Sequence, residues 1–109
     1  VAQGGKVLRI GSKIFTEQYI LAHLFAQLIN GYTNYDVEVK TGLGGTKVCF
    51  DALRTGAIDV YPEYTGTGFQ VLLTPTAAEM EQLITDAPAL YQYVDQAFMQ
   101  QYGIDWLAP

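Results

Sequence analysis

The sequence is poor in cysteine and histidine, and these shortages exclude several classes of function. One cysteine, Cys49, and one histidine, His23, stand among 109 residues. A single cysteine rules out an internal disulfide, and the parts of a zinc site or a nucleophilic triad are missing. We therefore expect a buried thiol at Cys49 and a solvated ring at His23. We predict a protein that is not an enzyme and that uses neither a metal nor a cofactor.

Basic residues are also few, and they are unevenly distributed. The chain carries six basic and eleven acidic residues, for a net charge of −5. This balance argues against nucleic acid as a partner, because binding to phosphate backbones relies on clustered Lys and Arg. All six basic residues lie within residues 1–54, whereas residues 55–109 carry seven acidic residues and no base. A site for an anionic group must therefore take its cation from the first half.

Long apolar runs and an N-terminal leader pattern are missing as well. No run approaches the roughly 18 apolar residues of a membrane-spanning helix. Half of the residues are apolar and 16% are charged, which is typical of a globular domain, and the length of 109 residues predicts one domain over residues 1–109. The first five residues carry no signal-peptide pattern, as in a chain that starts after signal cleavage, so they leave the compartment open.

Hydrophobic periodicity predicts three short strands with helices between them. Residues 6–11 and 36–41 alternate apolar and polar side chains, and residues 58–61 form an apolar stretch that stops at Pro62. The resulting β-α-β-α-β pattern with short connections predicts an α/β fold. We expect a mainly parallel sheet in the order 2-1-3, with right-handed crossovers and flanking helices.

Five helices are predicted along the chain. The first begins at the N-cap Thr16, stops at Asn30-Gly31, and carries one apolar stripe: Ile20, Leu21, Leu24, Phe25, Leu28 and Ile29. The others are residues 46–56, residues 65–73, a helix opened by the capping box of Thr76 and Glu79, and residues 88–102. Residues 104–107 are predicted to be extended.

Three loops at the carboxyl ends of the strands define the candidate ligand site. In an open parallel sheet, ligands bind at this edge, and here residues 12–16, 42–46 and 62–67 lie there. Each loop leads into a helix N-terminus, whose free N–H groups favour an anion. The glycine-rich loop after the second strand does not have the spacing of a nucleotide-binding motif. Asp59 and Glu63 are a possible carboxylate pair, but we favour capping or salt-bridge roles because no neighbour tunes their acidity.

Tyr64 stands apart from the tyrosines of the last predicted helix, which we expect to pack in the core. It enters a loop at the sheet edge and is followed by Thr67. An electron-rich ring near a lysine and hydroxyl groups suits a zwitterion. The ring would bind a quaternary ammonium by a cation–π interaction, and Lys13 and Thr67 would bind a carboxylate.

Three motifs, in order, resemble a known family. Residues 11–18 read GSKIFTEQ, residues 43–46 read LGGT, and residues 56–67 read GAIDVYPEYTGT. They resemble the substrate-binding proteins of ABC importers for glycine betaine, choline and carnitine, over nearly the whole chain. The resemblance implies a two-lobed, hinge-closing type II periplasmic binding protein. Such a protein holds a quaternary ammonium osmoprotectant in an aromatic cage and delivers it to a membrane permease, in the periplasm or another extracytoplasmic space.

The resemblance also assigns site residues. Tyr64 resembles a cage tyrosine, Lys13 and Thr67 resemble contacts to the ligand carboxylate, and Thr46 resembles a residue that faces the polar end of the ligand. By the same resemblance, residues 1–109 correspond to the N-terminal segment of lobe one, without the second lobe and the returning segment. A sheet left incomplete has an unpaired edge, so we expect self-association. The alternative is a regulatory or interaction module of related fold with no role in transport.

Overall fold

The structure, a computed structural model, describes residues 7–108 and divides into two compact units at Pro62 and Glu63. The first unit contains β1 (Val7–Lys13), α1 (Thr16–Tyr32), β2 (Asp36–Gly44) and α2 (Thr46–Thr55). The second contains α3 (Thr65–Thr67), a π-helical segment (Gly68–Leu72), α4 (Ala77–Leu83) and α5 (Ala87–Tyr102). Within residues 7–108, no helix is long and apolar enough to cross a membrane. The assignment of residues 1–109 to one domain stays a prediction.

The parallel sheet confirms the predicted neighbours but shortens the third strand. β1 pairs with β2 in parallel, from Val7 with Asp36 to Lys13 with Gly44, and Val60 forms an isolated parallel bridge to Ile10 on the other side of β1. The predicted strand over residues 58–61 is therefore a single bridge. The Asp59 carboxylate accepts the Arg9 N–H at 2.8 Å, so a side chain occupies a donor that would otherwise extend the backbone ladder. Lys6, where the predicted first strand began, lies outside the described residues.

β2 is longer than predicted, since it continues to Gly44 and takes in most of the predicted glycine-rich loop. The Ile14 N–H donates to the Gly44 carbonyl at 3.2 Å, which extends the pairing of the two strands. Gly42 has a φ of 68°, a conformation that side-chain-bearing residues rarely adopt. A Cβ at Gly42 would also lie 3.1 Å from the Tyr19 hydroxyl. Glycine at position 42 therefore allows the end of β2 to turn and to pass close to Tyr19 of α1.

The buried face of α1 overlaps only half of the predicted apolar stripe: Leu21, Phe25 and Ile29 are half-buried, and Phe25 packs against the core. Its wholly or largely buried residues are Gln18, Ala22 and Ala26. One row of the stripe is half exposed, at 55%, 52% and 56% for Ile20, Leu24 and Leu28. Ala22 and Ala26 pack in the core formed with Ile10. Larger side chains on this face would hold α1 away from the sheet.

The ends of α1 also differ from the prediction. Phe15 is its N-cap and makes no side-chain cap bond, and Thr16 is the first helical residue. At the other end the helix continues through the predicted stop at Asn30 and Gly31 to Tyr32. The Thr33 hydroxyl donates to the Ile29 carbonyl at 2.7 Å and closes the last turn in place of a glycine cap.

The remaining helices follow their local signals. α2 ends at Thr55 before a left-handed Gly56, and Cys49 on its inner face is fully buried, as predicted. The capping box of Thr76 and Glu79 is confirmed at α4. α5 ends at Tyr102 before a left-handed Gly103. The predicted helix over residues 65–73 is present, but its second half is π-helical, and residues 104–107 form no strand. His23 is exposed, as expected.

Candidate functional site

The four predicted site residues fall into two pairs, one in each unit. Lys13 is the last residue of β1 and Thr46 is the first residue of α2, so both lie in the first unit. Because Lys13 pairs with Gly44, two residues before Thr46, these side chains belong to the same edge of the sheet. Tyr64 and Thr67 lie in the second unit, one helical turn apart at the start of α3. The strand-end rule thus brought Lys13 and Thr46 to one edge, as predicted.

Lys13 is held through its own backbone. Its N–H donates to Gln18 Oε1 at 3.2 Å, and its carbonyl accepts from the Ser12 hydroxyl at 3.0 Å. The same Ser12 oxygen accepts the Gly42 N–H at 3.2 Å, which ties β1 to the end of β2. Ser12 and Gln18 are fully buried and Lys13 is 3% exposed. Sequence reasoning assigned no role to Ser12 or Gln18, although the row Gln18, Ala22, Ala26 marks the inner face of α1 at helical spacing.

Thr46 begins a helix whose first turn carries no acidic residue. Its N-cap is Gly45, which provides no side-chain oxygen to satisfy the first N–H groups of α2. The positive end of the α2 dipole therefore lies beside the half-buried Thr46, at the strand edge that contains Lys13. A Cβ at Gly44 would approach the Val48 side chain to 3.1 Å, so glycine lets the strand pass close to α2. This edge combines a cation, a hydroxyl and the first backbone amides of a helix without a side-chain cap, which suits a carboxylate.

Tyr64 presents its ring at the start of the second unit. It is 41% exposed and precedes α3 as its N-cap, with an extended backbone. Its N–H donates to Glu63 Oε1 at 3.0 Å and its carbonyl accepts the Gly68 N–H at 2.9 Å. Thr67 is half-buried and directly precedes the π-helical segment. Single π-helical turns inside helices are frequent at functional sites.

The indole of Trp106 packs against the helical turn at Gly68. A Cβ on Gly68 would lie 2.8 Å from Trp106 Cζ2, so only glycine lets the helix rest on the indole. The Trp106 N–H donates to Asp95 at 3.1 Å, and its carbonyl accepts the Tyr91 hydroxyl at 2.6 Å. Phe98 packs edge-on against the indole with ring centroids 5.4 Å apart. Sequence reasoning missed this role, for which a lone tryptophan and a helical glycine were the available signals.

The carboxylate at residue 59 is a salt-bridge partner, as favoured. Arg9 Nε lies 3.2 Å from Asp59 Oδ2, and the hydrogen bond from the Arg9 side chain holds the pKa of Asp59 below its ordinary value. An acid whose pKa is lowered in this way is a poor proton donor at neutral pH. Glu63 caps the Tyr64 N–H. These hydrogen bonds therefore give both carboxylates structural roles.

The tyrosines of α5 are also structural. The Tyr93 hydroxyl donates to Glu79 at 2.8 Å, and this bond raises the pKa of Tyr93 above its ordinary value. The Tyr93 ring meets Phe69 edge-on, with centroids 5.6 Å apart. Burial raises the pKa of Tyr91, whose hydroxyl bonds to the Trp106 carbonyl. These contacts confirm the expected packing role.

Residues 7–108 contain no metal-binding cluster, and the predicted site residues do not line their cavity in the second unit. No three His, Cys, Asp or Glu side chains come together to hold a metal ion in this part of the chain. A cavity of about 240 Å³ in the second unit contains none of the four predicted site residues and is lined by Asp95, Gln96, Met99, Gln100 and Asp105. Its two carboxylates face no basic side chain in that lining.

Comparison with known proteins gives a consistent result. A family model described as the substrate binding domain of ABC-type glycine betaine transport system, OpuAC, matches residues 6–109. The chain is 39% identical over 104 residues to a glycine-betaine-binding protein of Pseudomonas aeruginosa, covering 95% of this chain and 30% of that protein. It is 38% identical over 107 residues to the glycine betaine-binding protein YehZ of Escherichia coli, covering 98% and 33%. A carnitine transport binding protein, OpuCC, of Listeria monocytogenes is 30% identical over 100 residues, covering 91% and 30%.

The fold agrees with these matches. The apo structure of YehZ from Escherichia coli superposes with a TM-score of 0.79 at 29% identity, covering 94% of this chain and 34% of that one. The chain therefore has part of a periplasmic-binding-protein fold, as predicted. It spans about a third of the length of the relatives it matches.

Proposed function

The chain belongs to the family of substrate-binding domains of ABC-type glycine betaine transport systems, and from this premise we propose that it binds a quaternary ammonium osmoprotectant for import. Glycine betaine, choline and carnitine are the candidate ligands. Lys13 is the observation that carries the proposal, because its backbone is fixed at the sheet edge where α2 begins. The relatives named above are binding proteins rather than enzymes, and no catalytic role is proposed.

The first unit would bind the carboxylate of the ligand. An ammonium group gives a charge-assisted hydrogen bond, which is roughly twice as strong as a neutral one. The Thr46 hydroxyl and the N-terminal amides of α2 would add neutral donors on the same edge. Glycine betaine and carnitine carry a carboxylate and would use all of these groups, whereas choline would use only the hydroxyl contacts.

The second unit would bind the quaternary ammonium. A trimethylammonium group has no N–H to donate, so recognition depends on its diffuse charge and its methyl surface. The exposed Tyr64 ring suits this group by a cation–π contact. Thr67, one turn later, is the exception in this unit, since the resemblance assigns its hydroxyl to the ligand carboxylate.

The wider setting is proposed on the same basis. We place residues 1–109 in the N-terminal segment of lobe one of a two-lobed, type II binding protein, because the relatives are about three times as long. Such a protein would deliver its ligand to an ABC permease from a periplasmic or other extracytoplasmic location. Closure of a second lobe would complete the aromatic cage.

Calorimetry on the complete protein tests the proposal. We expect binding of at least one of glycine betaine, choline and carnitine, and Tyr64→Ala should weaken every ligand by about 1 to 2 kcal/mol. Tyr64→Phe should cost less, because the ring face remains. Tyr35 is 43% exposed, close to the 41% of Tyr64, so Tyr35→Ala is a matched control that should leave affinity unchanged. Binding of none of the three ligands would favour the regulatory or interaction module.

We also propose that the isolated chain pairs with a second copy through β2. Among residues 7–108, β2 pairs with β1 alone, so one edge of this nine-residue strand is open. Lys40 and Glu38 lie on one face of β2, with 3.4 Å between charged atoms. Antiparallel pairing centred on Val39 would set Glu38 of one copy opposite Lys40 of the other, giving alternating charges.

Sedimentation velocity tests this pairing. The 109-residue chain should form dimers at high concentration, and Lys40→Glu should weaken them by setting like charges opposite each other. The charge-swapped double variant, Glu38→Lys with Lys40→Glu, should restore the dimer. A strictly monomeric profile of the unaltered chain would contradict the pairing.

A further inference from the structure

Gln18 is a buried side chain with only half of its amide satisfied. It is fully buried on the inner face of α1, and its Oε1 accepts the Lys13 N–H at 3.2 Å. Its Nε2 has no hydrogen-bond partner among residues 7–108. A buried donor without an acceptor destabilises the folded state. Methionine at this position would remove the unpaired donor, but it would leave the buried Lys13 N–H without its acceptor.

The satisfied half of the amide points to a role in placing Lys13. Gln18 binds the N–H of Lys13, and Ser12 binds its carbonyl and also the Gly42 N–H. Gln18 thus connects the Lys13 backbone to α1, and Ser12, its neighbour in β1, connects it to Gly42 of β2. A lysine side chain has a flexible four-carbon stem, so the position of its ammonium depends on where its Cα is fixed.

We propose that Gln18 and Ser12 are positioning residues that set the Lys13 ammonium against the carboxylate of a zwitterionic ligand. This inference rests on the proposed function, because it requires a ligand that Lys13 binds. Neither side chain needs to touch the ligand. Their effect should appear only for ligands that carry a carboxylate, and only while Lys13 is present.

A double-mutant cycle on the complete protein tests this. Gln18→Met should lower the affinity for glycine betaine by about tenfold and the affinity for choline by less than about threefold. In a Lys13→Ala background, Gln18→Met should change glycine betaine affinity by less than about twofold, because the group that it positions is gone. Gln27, exposed on the same helix, provides the matched control Gln27→Met, which should have no effect.

Ser12→Ala gives a second route if Gln18→Met folds poorly. It removes the bond to the Lys13 carbonyl, and it should show the same preference for reducing glycine betaine affinity. Equal losses for both ligands, or additive effects of Gln18→Met and Lys13→Ala, would overturn the positioning role while leaving the proposed function intact. Failure of the unaltered protein to bind either ligand would overturn both.

Hydrogen exchange of the Lys13 amide gives a readout that needs no ligand. In Gln18→Met this amide loses its acceptor, so we expect its exchange to accelerate by about tenfold or more. Amides within α1 should keep their rates, which distinguishes a local change from unfolding of the unit. An unchanged rate for Lys13 would overturn the proposal.

Discussion

The two units position their site residues by different physical means. In the first unit, directional hydrogen bonds from Gln18 and Ser12 hold the backbone of Lys13. In the second, the indole of Trp106 lies against Gly68 and supports the turn that follows Tyr64. Directional hydrogen bonds fix the position of one residue, whereas packing against a ring fixes the orientation of a whole helical turn. Under the proposed function, the Lys13 ammonium needs the first to meet a carboxylate, and the Tyr64 ring needs the second to cover a methylated ammonium.

The cores differ in the same way. Ile10, Ala22 and Ala26 form a core cluster in the first unit, where small side chains bring α1 close to the sheet. In the second unit the rings of Phe69 and Phe98 are almost completely buried. Loss of one of these rings should therefore destabilise the second unit strongly, whereas loss of a polar bond in the first should act locally.

The largest effect is expected for Phe69→Ala. Removal of a fully buried ring leaves a cavity and should lower the free energy of unfolding by about 3 to 5 kcal/mol. Urea unfolding followed by fluorescence of Trp106, the only tryptophan, measures this in the second unit. The control Phe15→Ala removes a ring that is 58% exposed and should cost far less. Equal losses for the two variants would contradict the assignment of the second core to its rings.

An intermediate effect is expected for Gly68→Ala. The new methyl would meet the rigid indole of Trp106 at 2.8 Å, which should cost about 1 to 3 kcal/mol. In the first unit, Gly11→Ala meets the flexible ends of Ile58 and Leu43, at 2.7 and 3.0 Å, and should cost less. Thermal unfolding of both variants makes the comparison. A larger loss at Gly11 would show that the sheet unit is the more tightly packed one.

The smallest effect is expected for Asp59→Asn, which removes the ion pair with Arg9. Both side chains are about one-third exposed, so the cost should be no more than about 1 kcal/mol at pH 7. Because Arg9 lowers the pKa of Asp59 in the folded state, the stabilisation is present above the unfolded pKa of about 3.9. It disappears as the pH falls through the folded value. Urea unfolding should show the full difference at pH 7 and a smaller difference at pH 2.5.

A control for this titration lies on α2. Asp51 pairs with Lys47 at 3.9 Å in an exposed (i, i+4) arrangement, so Asp51→Asn should cost no more than about 0.5 kcal/mol. If Asp59→Asn lost no more stability than Asp51→Asn at pH 7, the Arg9 pair would have no measurable role in the first unit.

Local signals predicted much of the fold. Gly56 and Gly103 as C-terminal caps, and the capping box at Thr76, describe interactions within a few residues, so the sequence pattern contains both partners. The prediction of a third strand was wrong because the Asp59 carboxylate accepts the N–H of Arg9, which lies fifty residues earlier in the sequence. The predicted face of α1 was half right: Phe25 packs against the core as the stripe indicates, but Leu24 and Leu28 are exposed, and the buried Gln18 is polar and so was not counted in the stripe.

The candidate site was likewise predictable only in part. Topology alone places Lys13 and Thr46 at one edge, because parallel strands end together. The groups that hold Lys13 were not predicted, since the bond from the Gly42 N–H to the Ser12 hydroxyl oxygen spans thirty residues and depends on how the strands register. Long-range partners of this kind appear only once the chain is folded.

The most direct test of the account is the effect of Lys13→Ala on two ligands of the complete protein, measured by calorimetry. The account assigns Lys13 to the carboxylate end, so the variant should weaken glycine betaine binding by about 1.5 to 3 kcal/mol. Choline has no carboxylate and should be affected much less. If Lys13→Ala weakened both ligands equally, with the fold intact by circular dichroism, Lys13 would be holding the loop and its assignment to the ligand carboxylate would be wrong.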